Sequence, residues 1–224
     1  PAQADLSAFK ATLGRGLRLA TILIIPAAVG LFVLAEPVVG LIFEHGKFVE
    51  VDTGITALAL RLYLIGLPFA AIDLLLMFAF YARQNTITPA AIGLVALVAY
   101  MLVAFGLLRW YSFFALMVAD SVKHLIHTAI SAYLLWRTIG GYRGQRLVST
   151  VLKTAFAAAV MGLLTLGTRL LLESVLPFGG ILAYGAIVLG GGGVGLLSFA
   201  LMAMWLGLDE WRGLFDMVRR RLHA

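Results

Sequence analysis

One stretch dictates the class of fold open to this chain. LRLYLIGLPFAAIDLLLMFAFYARQNTITP, Leu60 to Pro89, holds about twenty mostly apolar residues between Arg61 and Arg83, broken only by Pro68 and a single acid, Asp73. A helix of about twenty apolar residues rises far enough to cross a hydrocarbon core roughly 30 Å thick. Arg83, Gln84 and Asn85 end the run. Pro89 biases Thr88 away from helical backbone yet fits the first turn of a new helix. The stretch therefore predicts a membrane-spanning helix over about 55–82, a tight polar turn, and a second helix from Pro89.

The rest of the chain repeats this plan. It is 62% hydrophobic and 12% charged with a mean hydropathy of +1.01, where a soluble domain carries about 25% charged residues. Backbone groups find no water inside a bilayer, so they must be satisfied within helices or closed barrels, and long apolar runs select helices. The fold class expected is an all-α integral membrane protein with six transmembrane helices, at about 17–43, 55–82, 89–108, 112–136, 151–172 and 181–206. Residues 1–13 read as a short polar helix capped by Asp5 or Ser7. Pro26 and Pro37 stand in the first span, where a neighbour must serve the freed carbonyl; a packing kink and a moving hinge are both open. From Asp209 the tail is amphipathic, with Trp211, Leu214, Phe215 and Val218 spaced for one face.

Charge sets the expected orientation. With six spans, twelve Lys and Arg residues fall on the side of the two termini, among them Arg83 and the acid-free connection 137–153, and four fall on the other. That asymmetry predicts that both ends lie in the cytoplasm, as the positive-inside rule requires. The absence of cysteine removes disulfides, thiolate metal sites and a cysteine nucleophile from consideration. The chain begins at Pro1 without a secretory signal, and is expected to be the C-terminal part of a longer protein.

Two polar features interrupt the apolar helices. In the fourth span Asp120, Lys123, His124, His127 and Ser131 follow a three-and-four spacing that gathers them on one helical face. Charges facing lipid are costly, so this stripe should face the bundle interior, a cavity or the interface. It either lines a cavity or cements packing through pairs such as Asp120 with Lys123. Asp73, near the middle of its helix, is a functional-site candidate because desolvation disfavours a lone carboxylate. Three roles are open to it: a neutral acid, a carrier of a proton during transport, or the partner of a base on another helix.

Other chemistries lack their residues. His124 and His127 share a face, but Glu or Cys partners at ligand spacing are missing and zinc ordinarily takes three or four ligands, so no metal or other cofactor is expected. No Gly-x-Ser-x-Gly or equivalent accompanies the histidines, and nothing reads as an enzyme. Gly190 to Gly193 and Gly195 lack the Lys-Ser/Thr of a phosphate loop and suit close helix packing. Arg61 and Arg169 read as residues near the outer interface, where snorkelling is the ordinary explanation and contact with a phosphate is also open. The basic tail points to anionic lipid head groups rather than nucleic acid.

The segment FYARQNTITP after RLYLIGLP resembles the MurJ/MviN family of lipid II flippases. A second match lies upstream, where Leu34 to Pro37 and then Ile42, Phe43, Gly46 and Phe48 are similar to the family's L-A-E-P and L-F-x-x-G-x-F segments. The resemblance implies a MATE/MOP-like transporter of two six-helix lobes plus two further helices, of which this chain would supply the last six. On that mapping residues 1–140 are the last four helices of the C-terminal lobe, 141–208 the two additional helices, and 209–224 a cytoplasmic basic tail.

The implied partners are lipid II, the phospholipid bilayer of a bacterial inner membrane, and an N-terminal lobe of the same protein that carries the arginines for the diphosphate. The implied mechanism is alternating access between rocking lobes. On this reading Asp73, Asp120, Lys123, His124 and His127 are the substrate or cavity candidates. The third span has no Asp or Asn, so a sodium site is not expected. Two alternatives stand beside the flippase: an exporter of another polyprenyl-linked glycan or of a drug, and a membrane scaffold without transport.

Overall fold

The computed structural model describes residues 2–141, 146–177 and 179–208, with side chains from Leu6 onward. The described residues form seven helices: α1 Ala2–Val33, α2 Ala35–Phe43, α3 Glu50–Ala82, α4 Ile87–Tyr111, α5 Phe114–Ile139, α6 Leu147–Val175 and α7 Gly180–Trp205. The amphipathic tail expected from Asp209 lies outside the described residues, as does Arg143 of the basic connection.

Three boundaries differ from the sequence reading. The first span and the polar segment before it form one helix, α1, because no proline or turn pair separates Lys10 from Leu17. The span expected over 17–43 breaks at Leu34, where α1 gives way to the short α2. Pro37 has no amide to offer Val33, four residues back, so the helical ladder cannot run through. Arg109 to Tyr111 stay helical, and the turn into α5 is made at Ser112, with φ +50, and Phe113.

Among the described residues five helices, α1 from Leu6, α3, α4, α6 and α7, are long and apolar enough to cross a membrane, against the six spans expected. The sixth, α5, has 26 residues but carries Asp120, Lys123, His124 and His127, which lower its apolarity. It runs alongside α3 in the same direction. Ser121 meets the carbonyl of Leu62, Thr128 that of Phe69, and His127 meets Asp73. That is the relation expected of two helices separated by one antiparallel neighbour, here α4.

The chain divides into two compact units, Pro1–Ile24 with Leu62–Val148 and Ile25–Arg61 with Ser149–Ala224. In the first unit Leu13 and Leu17 of α1, Leu76, Ala79 and Phe80 of α3, Ile92 of α4, and Leu135 and Ile139 of α5 form one buried cluster. A turn seals the α3–α4 end of it: Asn85 accepts the amide of Thr88 at 3.0 Å and donates to its hydroxyl at 2.9 Å. Glycine sets the α3–α5 distance, since a Cβ at Gly66 would stand 2.7 Å from the Cα of Ser121.

In the second unit small residues do the same for α1, α2, α6 and α7. A Cβ at Gly162 would meet Val29 at 2.8 Å, one at Gly195 the Thr165 hydroxyl at 2.6 Å, and one at Gly40 the ring of Tyr184 at 2.5 Å. Lipid tails are as apolar as leucine, so helix association in a bilayer rests on such close approach. The packing use expected for the glycines of α7 is what the structure shows at Gly191 and Gly195. Large apolar side chains face outward, with Phe105, Leu163 and Leu189 each at least 70% exposed, as lipid contact allows.

Candidate functional site

The first unit brings Asp73 and His127 together. Asp73 follows Pro68 on α3 by five residues, and His127 follows Ser121 on α5 by six, so the Gly66–Ser121 contact positions both side chains. His127 Nδ1 lies 2.5 Å from Asp73 Oδ1, and the two side chains are 11% and 9% exposed. Ser131 Oγ stands 3.3 Å from the same ring nitrogen. The opposite ring edge faces Gly93 of α4, where a Cβ would lie 3.9 Å from Nε2. Leu76 and Ser131, one turn further along α3 and α5, are buried. Of the three roles open to Asp73, pairing with a base on another helix is the one the geometry realises.

The other stripe residues form a second, less buried group. Asp120 holds Lys123 in an ion pair one turn along α5 and has His124 Nε2 at 3.6 Å. The Lys123 ammonium also stands 5.9 Å from the ring centroid of Tyr100 on α4. Tyr63 on α3 lies within the field of Asp120. His124 Nδ1 is buried and has no hydrogen-bond partner among the described residues. The stripe thus divides: Asp120, Lys123 and His124 pair with one another, and His127 pairs across to α3. No group of three or more His, Cys, Asp or Glu suited to a metal ion occurs among the described residues.

Sequence reasoning missed a polar network in the second unit. Arg169 of α6 donates from Nη1 to the carbonyl of Val33 at 2.9 Å, from Nη2 to Glu36 at 2.9 Å, and from Nε to Glu173 at 2.6 Å. Arg61 of α3 donates to the carbonyl of Phe32 at 3.2 Å and lies 3.6 Å from the same Glu36 oxygen. These two carbonyls end α1, and Val33 is the residue whose bond Pro37 removes. The Arg169 guanidinium therefore stands in for the amide that Pro37 takes from Val33, Arg61 adds a donor to Phe32, and neither arginine is a free, snorkelling cation. Pro37 and Glu36 were the available signal, but nothing in the sequence linked them to Arg169. Glu44 makes a smaller node, accepting from Thr53 at 2.7 Å and Tyr184 at 3.0 Å.

These features define a multi-pass helical membrane protein with ionisable groups inside its bundle. The family described as lipid II flippase MurJ matches residues 2–183, and the chain belongs to that family. It is similar to the probable lipid II flippase MurJ of Bdellovibrio bacteriovorus, with 35% identity over 136 residues, covering 61% of this chain and 26% of the relative. The Haemophilus influenzae protein of the same description is 31% identical over 159 residues, covering 69% and 30%. A solved structure, lipid II flippase MurJ in an inward closed conformation, superposes with a TM-score of 0.71 at 22% identity, over 91% of this chain and 41% of that one. That likeness speaks for the fold. The chain thus spans well under half the length of the relatives it matches.

Proposed function

We propose that this chain works as part of a lipid II flippase, moving the undecaprenyl-linked peptidoglycan precursor across the bacterial inner membrane by alternating access. The observation that carries the reading is the family match over residues 2–183, together with the solved flippase's fold over 91% of the chain. The buried Asp73–His127 pair is the kind of intramembrane ionisable group that marks transport pathways. On this reading residues 1–140 complete a transporter lobe, 141–208 add two helices, both ends face the cytoplasm, and an N-terminal lobe supplies the remaining cavity. Lipid II and the surrounding phospholipid are the partners. The protein transports without catalysing a covalent step, and Asp73, Asp120, Lys123, His124 and His127 are the residues closest to that task.

The test is complementation. Cells depleted of their own lipid II flippase receive the full-length gene, and growth and lipid II exposure on the outer face are scored. The expected outcome is rescue of both. A well-expressed, membrane-inserted product that restores neither would overturn the reading in favour of another exporter or a scaffold.

A further inference from the structure

We propose that the α2–α3 connection holds the head group of a zwitterionic phospholipid, with Lys47 on its phosphate and Asp52 on its ammonium. The connection borders an open cavity of about 570 Å³, where ligand clefts measure roughly 300–1,000 Å³. Lys47 and Asp52 both line it, and among the described residues these opposite charges form no ion pair with each other. Space between two unpaired opposite charges suits a dipolar group that meets both.

Local sequence sets both charges in place. Gly46, at φ +65, turns the chain between His45 and Lys47, and the Phe48 amide closes the turn on the His45 carbonyl at 3.2 Å. Asp52, in the first turn of α3, reaches back to accept the Val49 amide on Oδ2 at 3.1 Å, which fixes the carboxylate and leaves Oδ1 for an outside donor. Glu44 accepts from Thr53 and Tyr184 and does not line the cavity, so its charge is not spent on Lys47. Neither the Lys47 ammonium nor the His45 ring, which lines the same cavity, has a polar partner among the described residues. Both can donate to a phosphate oxygen.

The apolar wall of the cavity is equally fixed. The rings of Phe43 and Phe48 lie 6.0 Å apart, and Phe48 packs on the buried Ala35, Val39 and Ala57. Depth favours a lipid. α3 has 33 residues, a rise of about 50 Å, against a hydrocarbon core of roughly 30 Å. Its first turn carries Glu50 and Asp52, which do not belong among acyl chains. Beside them Ile42, Val49 and Val51 are each more than half exposed, an apolar rim that does not belong in open water. Charge bordered by exposed apolar surface matches a head group and the first methylenes of its chains. The site needs the spanning helices and not the flippase reading.

The experiment is native mass spectrometry of the purified full-length protein, titrated in detergent with phosphatidylethanolamine or with phosphatidylglycerol of the same acyl chains. Phosphatidylglycerol keeps the phosphate and lacks the ammonium. Expected is tighter binding of phosphatidylethanolamine by the wild type. Asp52→Asn keeps an acceptor for the Val49 amide, so it removes that preference without weakening phosphatidylglycerol. Lys47→Gln weakens both lipids by about threefold, the size of one exposed charge contact, and Lys47→Arg restores them. Arg109→Gln, at the exposed end of α4, changes neither. Equal binding of the two lipids by the wild type, a preference that survives Asp52→Asn, or an equal loss of both lipids in that variant overturns the proposal. Displacement of phosphatidylethanolamine by inorganic phosphate also overturns it, because the ligand would then be a free anion.

Discussion

Arg61 and Arg169 in one unit each reach a backbone carbonyl as well as a carboxylate, whereas Asp73 and His127 in the other find chiefly each other. The first arrangement has redundancy: Glu36 takes two guanidiniums, Arg169 takes three acceptors, and Glu36 keeps 43% of its side chain in contact with the surroundings. A guanidinium is permanently charged, so the arginine side of this network keeps its charge and its donors at any working pH. The second arrangement sets one carboxylate against one imidazole, both about nine-tenths buried, with the Ser131 hydroxyl beside the ring. Two ionic contacts in one membrane chain thus differ in kind, one repairing backbone that a proline has interrupted and the other joining two helices through a single side-chain pair.

That contrast breaks most readily at Arg169. Arg169→Met strands the Val33 carbonyl, takes Glu173's partner and leaves Glu36 with Arg61 alone, and should cost about 3 kcal/mol, at the lower end for a broken buried pair because both carboxylates are partly exposed. A falling Tm of the full-length protein in detergent would register it, and a Tm at the wild-type value would remove the repair role. Gly66→Ala tests the other unit's scaffold. Its Cβ would meet the backbone of Ser121, so about 2 kcal/mol of overpacking is expected, with loss of the Asp73–His127 contact as a secondary effect.

Sharper still is the cycle between Pro37 and Arg169. Pro37→Ala returns an amide to Val33, and the cost of losing Arg169 should then shrink by about 1 kcal/mol, the size of one regained hydrogen bond. Additive losses in thermal unfolding would mean that the guanidinium does not stand in for that amide. The smallest effect should come from Asp120→Asn. It breaks a partly exposed one-turn pair with Lys123, worth about 0.5 kcal/mol, and chemical denaturation should barely distinguish it from wild type.

Much of this architecture was legible because bilayer chemistry is severe. Apolar run length alone located α3, α4, α6 and α7, and three-and-four spacing put Asp120, Lys123, His124 and His127 on one face of α5. What stayed hidden was partner choice. Asp73 and His127 are 54 residues apart, and Arg169 and Val33 are 136 apart. Only the docking of helices through Gly66, Gly162 and Gly195 decides which polar groups meet. The break at Leu34 had a readable cause in Pro37, yet whether such a proline kinks a helix or ends it depends on what receives the freed carbonyl. Here the receiver came from α6, beyond the reach of any local pattern.

The most direct measurement compares Asp73→Asn with Arg169→Met in cells depleted of their own lipid II flippase, at matched membrane abundance of the full-length protein, reading lipid II on the outer face. The account predicts that Asp73→Asn leaves exposure at the level of cells without the gene, while its Tm stays near wild type. Arg169→Met should lose activity only in proportion to its lost stability. Full exposure of lipid II by Asp73→Asn would contradict the account, because the buried pair would then hold helices together and do nothing else.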